Sequence, residues 1–279
     1  METLTSTNPT KAYARGGNSL KMLHLSAKLW FIIATAGQWL FAFYIAAFYG
    51  KSTVLGDFER WNKVLPHGYV KGEPMGNLMV GFHVLFALIL VVGGPLQLMP
   101  QVRERFPVFH RWLGRAYIFT APLVAIDGAA MVWTRGSVGN TFMHVCNTIQ
   151  VFYIVTFAWL SIRYARERKF ALHRAWTLRL FMVTNGVWFF RIELMAWLVT
   201  MGGPVGIDTE TFTGPFLNAL ALFAYAVPLS LIVLELYWKA QKTNNPTFRT
   251  ITTVVIFLCV ILTAIGVFGA TMGMWLPRI

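Results

Sequence analysis

The chain alternates long apolar runs with short polar and mostly basic stretches. Seven runs reach the ~20 residues that a helix needs to cross the hydrocarbon of a bilayer. They fall at about 28–49, 77–100, 112–134, 141–163, 173–200, 214–238 and 250–276. Lipid offers a peptide group no hydrogen-bond partner, so runs of this kind are expected to be helices. The fold predicted is all-α: a polytopic membrane protein with seven transmembrane helices in one domain, 28–279, with its core at 77–200. Residues 1–27 are polar, with Lys11, Arg15 and Lys21. They are expected to form a flexible basic cytoplasmic tail, with Leu20 to Leu25 lying on the membrane surface. Gly93-Gly94-Pro95 is expected to break the second helix near its inner end, since proline removes a backbone bond.

Composition supports this reading. Hydrophobic residues make up 56% of the chain, charged residues 13%, and mean hydropathy is +0.56, against about 25% charged in soluble domains. The net charge of +13 therefore points to basic loops on an anionic leaflet rather than to nucleic acid. With the N-terminus inside, 17 of the 24 Lys and Arg residues fall on the inner side, 6 on the outer side, and Arg191 within a helix. That bias predicts an N-inside, multi-pass protein of the cell inner membrane. Cys146 and Cys259 both lie in apolar runs, which argues against a disulfide or a cysteine metal site. The longest connection, about 50–76, is long enough to act as a lid.

Four of the six histidines form a two-fold pattern. His83 precedes His110 by 27 residues, and His144 precedes His173 by 29. Each later histidine opens a His-Arg stretch: His110-Arg111-Trp112-Leu113-Gly114-Arg115 and His173-Arg174-Ala175-Trp176-Thr177-Leu178-Arg179. The copies are offset by 63 and 61 residues, which suggests a duplicated helix pair. A four-helix bundle of the second to fifth helices would then place His83 diagonal to His144 near the outside, and His110 diagonal to His173 near the inside. Two imidazoles on facing helices are what a six-coordinate haem requires. One or two b-type haems are therefore the expected cofactor. Gly81, Ala87, Gly114, Gly128 and Gly186 would leave room for a ring. Arg111, Arg115, Arg174 and Arg179 would meet propionates on the inside, and Arg191 on the outside, five turns beyond His173. Asp127, Asn147 and Gln150 are candidate acceptors for the second ring nitrogens.

Blander readings stand beside this one. A His-Arg helix start behind a basic loop also serves as an interfacial anchor. His83 and His144 would also be satisfied by bonding to a neighbouring helix. Asp127 is expected to partner Arg191 or a histidine. Glu235 is expected to pair with Lys239 at a solvated helix end.

The run from Phe82-His83 through Gly94-Pro95-Leu96-Gln97 and Arg103 to His110-Arg111-Trp112-Leu113-Gly114-Arg115-Ala116-Tyr117 resembles the bacterial membrane proteins of domain of unknown function family 2306. His173 to Arg179 fits the same signature. That resemblance implies a multi-span membrane protein and no particular activity. In arrangement, though not in sequence, the histidines resemble the cytochrome b561 class, which implies His83 with His144 for an outer haem and His110 with His173 for an inner one. The function expected is transmembrane electron transfer, with a quinone or another redox protein as partner. Two alternatives are an accessory or scaffold subunit of a larger membrane complex, its His-Arg motifs binding lipid or partner, and a membrane enzyme with a non-haem metal at His83, His144 and Asp127.

Overall fold

A computed structural model describes residues 9–136 and 138–279, with side chains from Gly17 onward. Ten α-helices follow in order: α1 (Pro9–Val54), α2 (Pro74–Leu98), α3 (Pro100–Arg105), α4 (Pro107–Thr134), α5 (Thr141–Arg166), α6 (Phe170–Thr184), α7 (Gly186–Met201), α8 (Pro215–Ala221), α9 (Leu229–Lys242) and α10 (Pro246–Ala270). The described residues contain no strand, only an isolated bridge between Asp208 and Thr213. Helix starts follow local chemistry. Proline opens α2, α3, α4, α8 and α10, where its missing N–H costs nothing. Asn140 and Asn245 cap α5 and α10 by accepting from the N–H groups of Met143 and Phe248, each at 3.1 Å.

Among the described residues, five helical segments are long and apolar enough to cross a membrane: 17–54, 74–98, 107–134, 141–166 and 246–278. A bent pair, 215–226 with 229–242, raises this to six. The run expected at 173–200 is not one helix. It breaks at Asn185, whose side-chain amide turns back to the Phe181 carbonyl at 2.7 Å, and Gly186 follows. The next run bends by 52° at Val227-Pro228, where proline supplies no N–H. Gly93-Gly94-Pro95 does not break α2: all three are buried within it, and the helix ends at Met99 before Pro100.

The expected tail also differs. Residues 1–8 lie outside the described residues, and a helix already runs from Pro9. Leu23 and Ser26 are fully buried, and Leu23 packs with Ala240 of α9 and Ile256 of α10. The stretch expected on the membrane surface therefore packs against protein. Leu20 and Leu23 fall one turn apart on one face, and α9 and α10 cover it.

α1 packs between α2 and α10, α4 between α2 and α5, and α5 against α6, while α7 lies along α10. One apolar cluster joins α2, α4, α5 and α6 through Leu90, Tyr117, Ala121, Ile154 and Leu180. A second joins α1, α6, α7 and α10 through Phe48, Phe181, Trp188, Ile192 and Val267. α7 and α10 approach so closely that a Cβ on Gly266 would overlap the Ile192 carbonyl oxygen. Such small-residue contacts let helix backbones meet where no hydrophobic drive favours association over lipid.

Candidate functional site

Between the two apolar clusters lies a cavity of about 210 Å³. α1, α2, α4, α5 and the α6–α7 junction wall it. Val64 and Leu65 of the first long connection, with Trp275 and Arg278 near the chain end, roof it. The roof is pinned. Arg135, 9% exposed, donates to the carbonyls of His67 and Gly68, to Glu73 and to Asn77, at 2.9–3.4 Å. Arg60 donates to the Arg278 carbonyl at 2.7 Å. Trp61 is buried and packs with Val80 and Met131. The long connection thus lies over the cavity.

His83 faces this cavity from α2. Its Nδ1 lies 3.1 Å from Asp127 Oδ2 of α4, and its ring rests on Gly128, where a Cβ would come within 3.0 Å of Cε1. Asp127 is thus the partner of a histidine and not of Arg191. In the neutral ring, an Nδ1–H given to the carboxylate leaves Nε2 as a lone-pair acceptor. Arg191 faces the same cavity from α7. It donates to the Val187 carbonyl at 3.0 Å and lies 5.7 Å from the centre of the Phe41 ring. Among the described residues, no carboxylate lies within ion-pair distance of Arg191 or Arg278.

The α6–α7 break borders the cavity, and α5 answers both it and the bend at Val227-Pro228. Gln150 donates to the Val183 carbonyl at 2.5 Å, beside Gly186, and Tyr153 donates to the Ala226 carbonyl at 3.1 Å. A break frees backbone acceptors that must find partners away from water, and these two side chains supply them. Trp188 and Trp275, each 2% exposed and each on the cavity wall, have indole N–H groups with no protein partner.

The other predicted residues lie elsewhere. His144 is not among the cavity-lining residues; its ring sits edge-on to Trp133 at 5.8 Å, and its Nε2 has no hydrogen-bond partner. At the opposite, basic end, His110 and His173 stand near the starts of α4 and α6. His173 Nδ1 lies 2.9 Å from the Ser161 carbonyl, which sets that nitrogen as the donor. His110 is held by its backbone, its carbonyl accepting from Gln97 at 3.1 Å, while its Nδ1 is buried without a partner. Arg111 and Arg174 are exposed, and Arg115 lies over the Trp112 ring at 4.9 Å. Arg179 bonds Glu235 at 2.8 and 2.5 Å between the rings of Trp176 and Trp238. That overturns the expected Glu235–Lys239 pair: the guanidinium of a neighbouring helix offers a two-bond, partly buried partner. Both cysteines are free. Among the described residues, no group of three His, Cys, Asp or Glu side chains is placed to hold a metal ion.

Sequence reasoning missed Arg135, Asn185 and the two tryptophans. Arg135 stands in a tight turn and reads there as no more than an outer-side charge. An Asn-Gly pair inside an apolar run was the available signal for the α6–α7 break.

A family model described as a predicted membrane protein, DUF2306, matches residues 80–212. That range holds all four patterned histidines, Asp127 and Arg191. No curated protein matches the chain, and no solved structure matches it.

Proposed function

We propose that the protein is a b-type haem protein that carries electrons across the cell inner membrane, with a quinone or another redox protein as partner. The observation that carries the reading is the commitment of His173 Nδ1 to the Ser161 carbonyl at the basic end, where His110 also stands near the start of its helix. That bond is the outer-sphere anchor typical of a ligating imidazole, and it turns Nε2 outward as a free donor pair. His110 brings a second ring, with a buried Nδ1 that no protein group satisfies. The donor set fits one six-coordinate haem, which would supply a one-electron couple. Arg111, Arg115, Arg174 and Arg179 stand at the same end and suit its propionates. At the other end His83 has a carboxylate-backed Nδ1 of the same kind, but His144 does not line the cavity that His83 faces, so the reading commits to the inner haem alone. In this reading α6 and α7 together make the seventh crossing, the N-terminus is cytoplasmic, and α2–α4 and α5–α6 descend from one duplicated helix pair around a four-helix core.

The test is spectroscopic. Protein expressed with ample haem supply should show a Soret band with reduced-minus-oxidised difference peaks, and His173→Ala with His110→Ala should abolish it. A colourless wild-type protein, or a band that survives both substitutions, would sink the proposal. Co-purification with other subunits and no chromophore would instead favour the accessory-subunit alternative. Metal without porphyrin, lost in His83→Ala, would favour the non-haem alternative.

A further inference from the structure

We infer that the central cavity binds a small organic carboxylate with an apolar body, held by Arg191. The first ground is charge. Two guanidiniums, Arg191 and Arg278, line the cavity, and no carboxylate side chain does. Asp127, behind His83 and off the lining, is already engaged by that histidine. A guanidinium among membrane helices is costly unless something of opposite charge meets it. Among the described residues, Arg191 has one carbonyl of its own helix and the face of Phe41. A carboxylate can take both edges of a guanidinium in two parallel hydrogen bonds.

The second ground is the supply of unused donors. Trp188 and Trp275 wall the cavity, are almost wholly buried, and have indole N–H groups with no acceptor. A buried donor without an acceptor is costly, and a small shift of either ring toward an anion's oxygens would satisfy it. The third ground is shape. Leu90, Val91, Ala121, Val124 and Ile154 give one part of the wall an apolar surface, beside the polar Asn147, Thr184 and Asn185. About 210 Å³ holds roughly seven waters at about 30 Å³ each, which suits a single ring or short branched chain. The pinned roof of Val64 and Leu65 would shut such a ligand away from water. On the wall formed by α2, His83 offers Nε2 to a hydroxyl of the ligand or takes up a proton from it.

This inference is independent of the haem proposed at the basic end. One other source of the same chemistry exists: a propionate of a haem held at His83. Benzoate is the probe, with benzyl alcohol as its uncharged counterpart, added to full-length protein in lipid nanodiscs. Saturable calorimetric binding of benzoate but not of benzyl alcohol is expected, together with a raised unfolding temperature. Arg191→Gln should weaken benzoate at least tenfold, and Arg191→Lys and Trp275→Phe by smaller factors, while Arg105→Gln, on the exposed α3, leaves it unchanged. The lysine and phenylalanine variants keep the test decisive should the glutamine variant fail to fold. Equal response to both probes, or benzoate binding untouched by Arg191→Lys and Trp275→Phe, overturns the inference. A Soret band that weakens or shifts in Arg191→Gln, with no benzoate binding to the wild type, assigns the carboxylate to haem and likewise overturns it.

Discussion

Replacing Gly266 by alanine tests how tightly α7 and α10 are locked. In a free helix the change is favourable by about 1 kcal/mol, because alanine is the better helix former. Here the added Cβ would overlap the Ile192 carbonyl oxygen and stand 2.8 Å from its carbonyl carbon. Ordinary contact begins at 3.4 Å. The obstacle is backbone, so no rotamer change relieves it, and the two helices must separate by at least 0.6 Å. Overpacking typically costs 1–3 kcal/mol, and rigid backbone on both sides puts this site at about 3. Separation also loosens the neighbouring contacts of Gly269 with Val199 and Gly273 with Met195. Net of propensity, Gly266→Ala should destabilise by about 2 kcal/mol. Gly50 is the internal control: it lies in α1 with nothing within 4 Å of the place its Cβ would occupy, so Gly50→Ala should stabilise by about 0.5–1 kcal/mol. Thermal and denaturant unfolding in one detergent, followed by circular dichroism, would measure both. A Gly266→Ala protein as stable as the wild type would refute the close packing of α7 on α10.

Arg135→Ala should leave helix content intact but release the cover over the cavity, because four acceptors between His67 and Asn77 lose their shared donor. Charge-assisted bonds are worth about 1.5–3 kcal/mol, so limited proteolysis within residues 56–73 should speed up roughly tenfold or more, and an unchanged cleavage rate would count against the staple. The turn at 208–213 should depend on pH. Hydrogen bonds from Thr211 and Glu210 hold the Asp208 carboxyl below its ordinary value. A depressed carboxylate contributes stability that is present above the unfolded value and lost as pH falls through the folded one. NMR of the Asp208 carboxyl should therefore show a midpoint below the usual carboxylate range, and Thr211→Val should raise it.

The apolar runs carried most of the helical architecture, since length and hydropathy decide what crosses lipid. They misled where a run was continuous in hydropathy but not in backbone. Asn185 and Pro228 sit inside apolar stretches, and the carbonyls they free are paired by Gln150 and Tyr153, both on α5, at least 30 residues away in the chain. Nothing local announces that pairing. The same holds for the candidate site. His83 was legible because a titratable group within an apolar run is conspicuous, and its link to Asp127 lay among the partners the sequence offered. The roof was not legible, because Arg60 and Arg135 reach targets 218 and 67–68 residues distant. Glu235 was misassigned because a tempting neighbour four residues along concealed a better partner on α6.

The break at Asn185 has a bearing on how the protein is made. α6 has 15 residues and α7 has 16, so each is only about 22–24 Å long, short of the ~30 Å of hydrocarbon. Between them they carry Arg174, Arg179, Arg191 and Glu193, and each charge near a span's centre costs about 2.5–3.5 kcal/mol to insert. Neither half suits lipid as a solitary segment leaving the insertion machinery. The pair becomes tolerable once Glu235 reaches Arg179, Gln150 reaches Val183 and α10 lies along α7. In the proposed seven-crossing arrangement α5 is synthesised before them but α9 and α10 come after, so residues 170–201 would need cover from α5 or from the machinery itself until the later helices arrive. That arrangement would make the interval between α7 and α10 a step exposed to error.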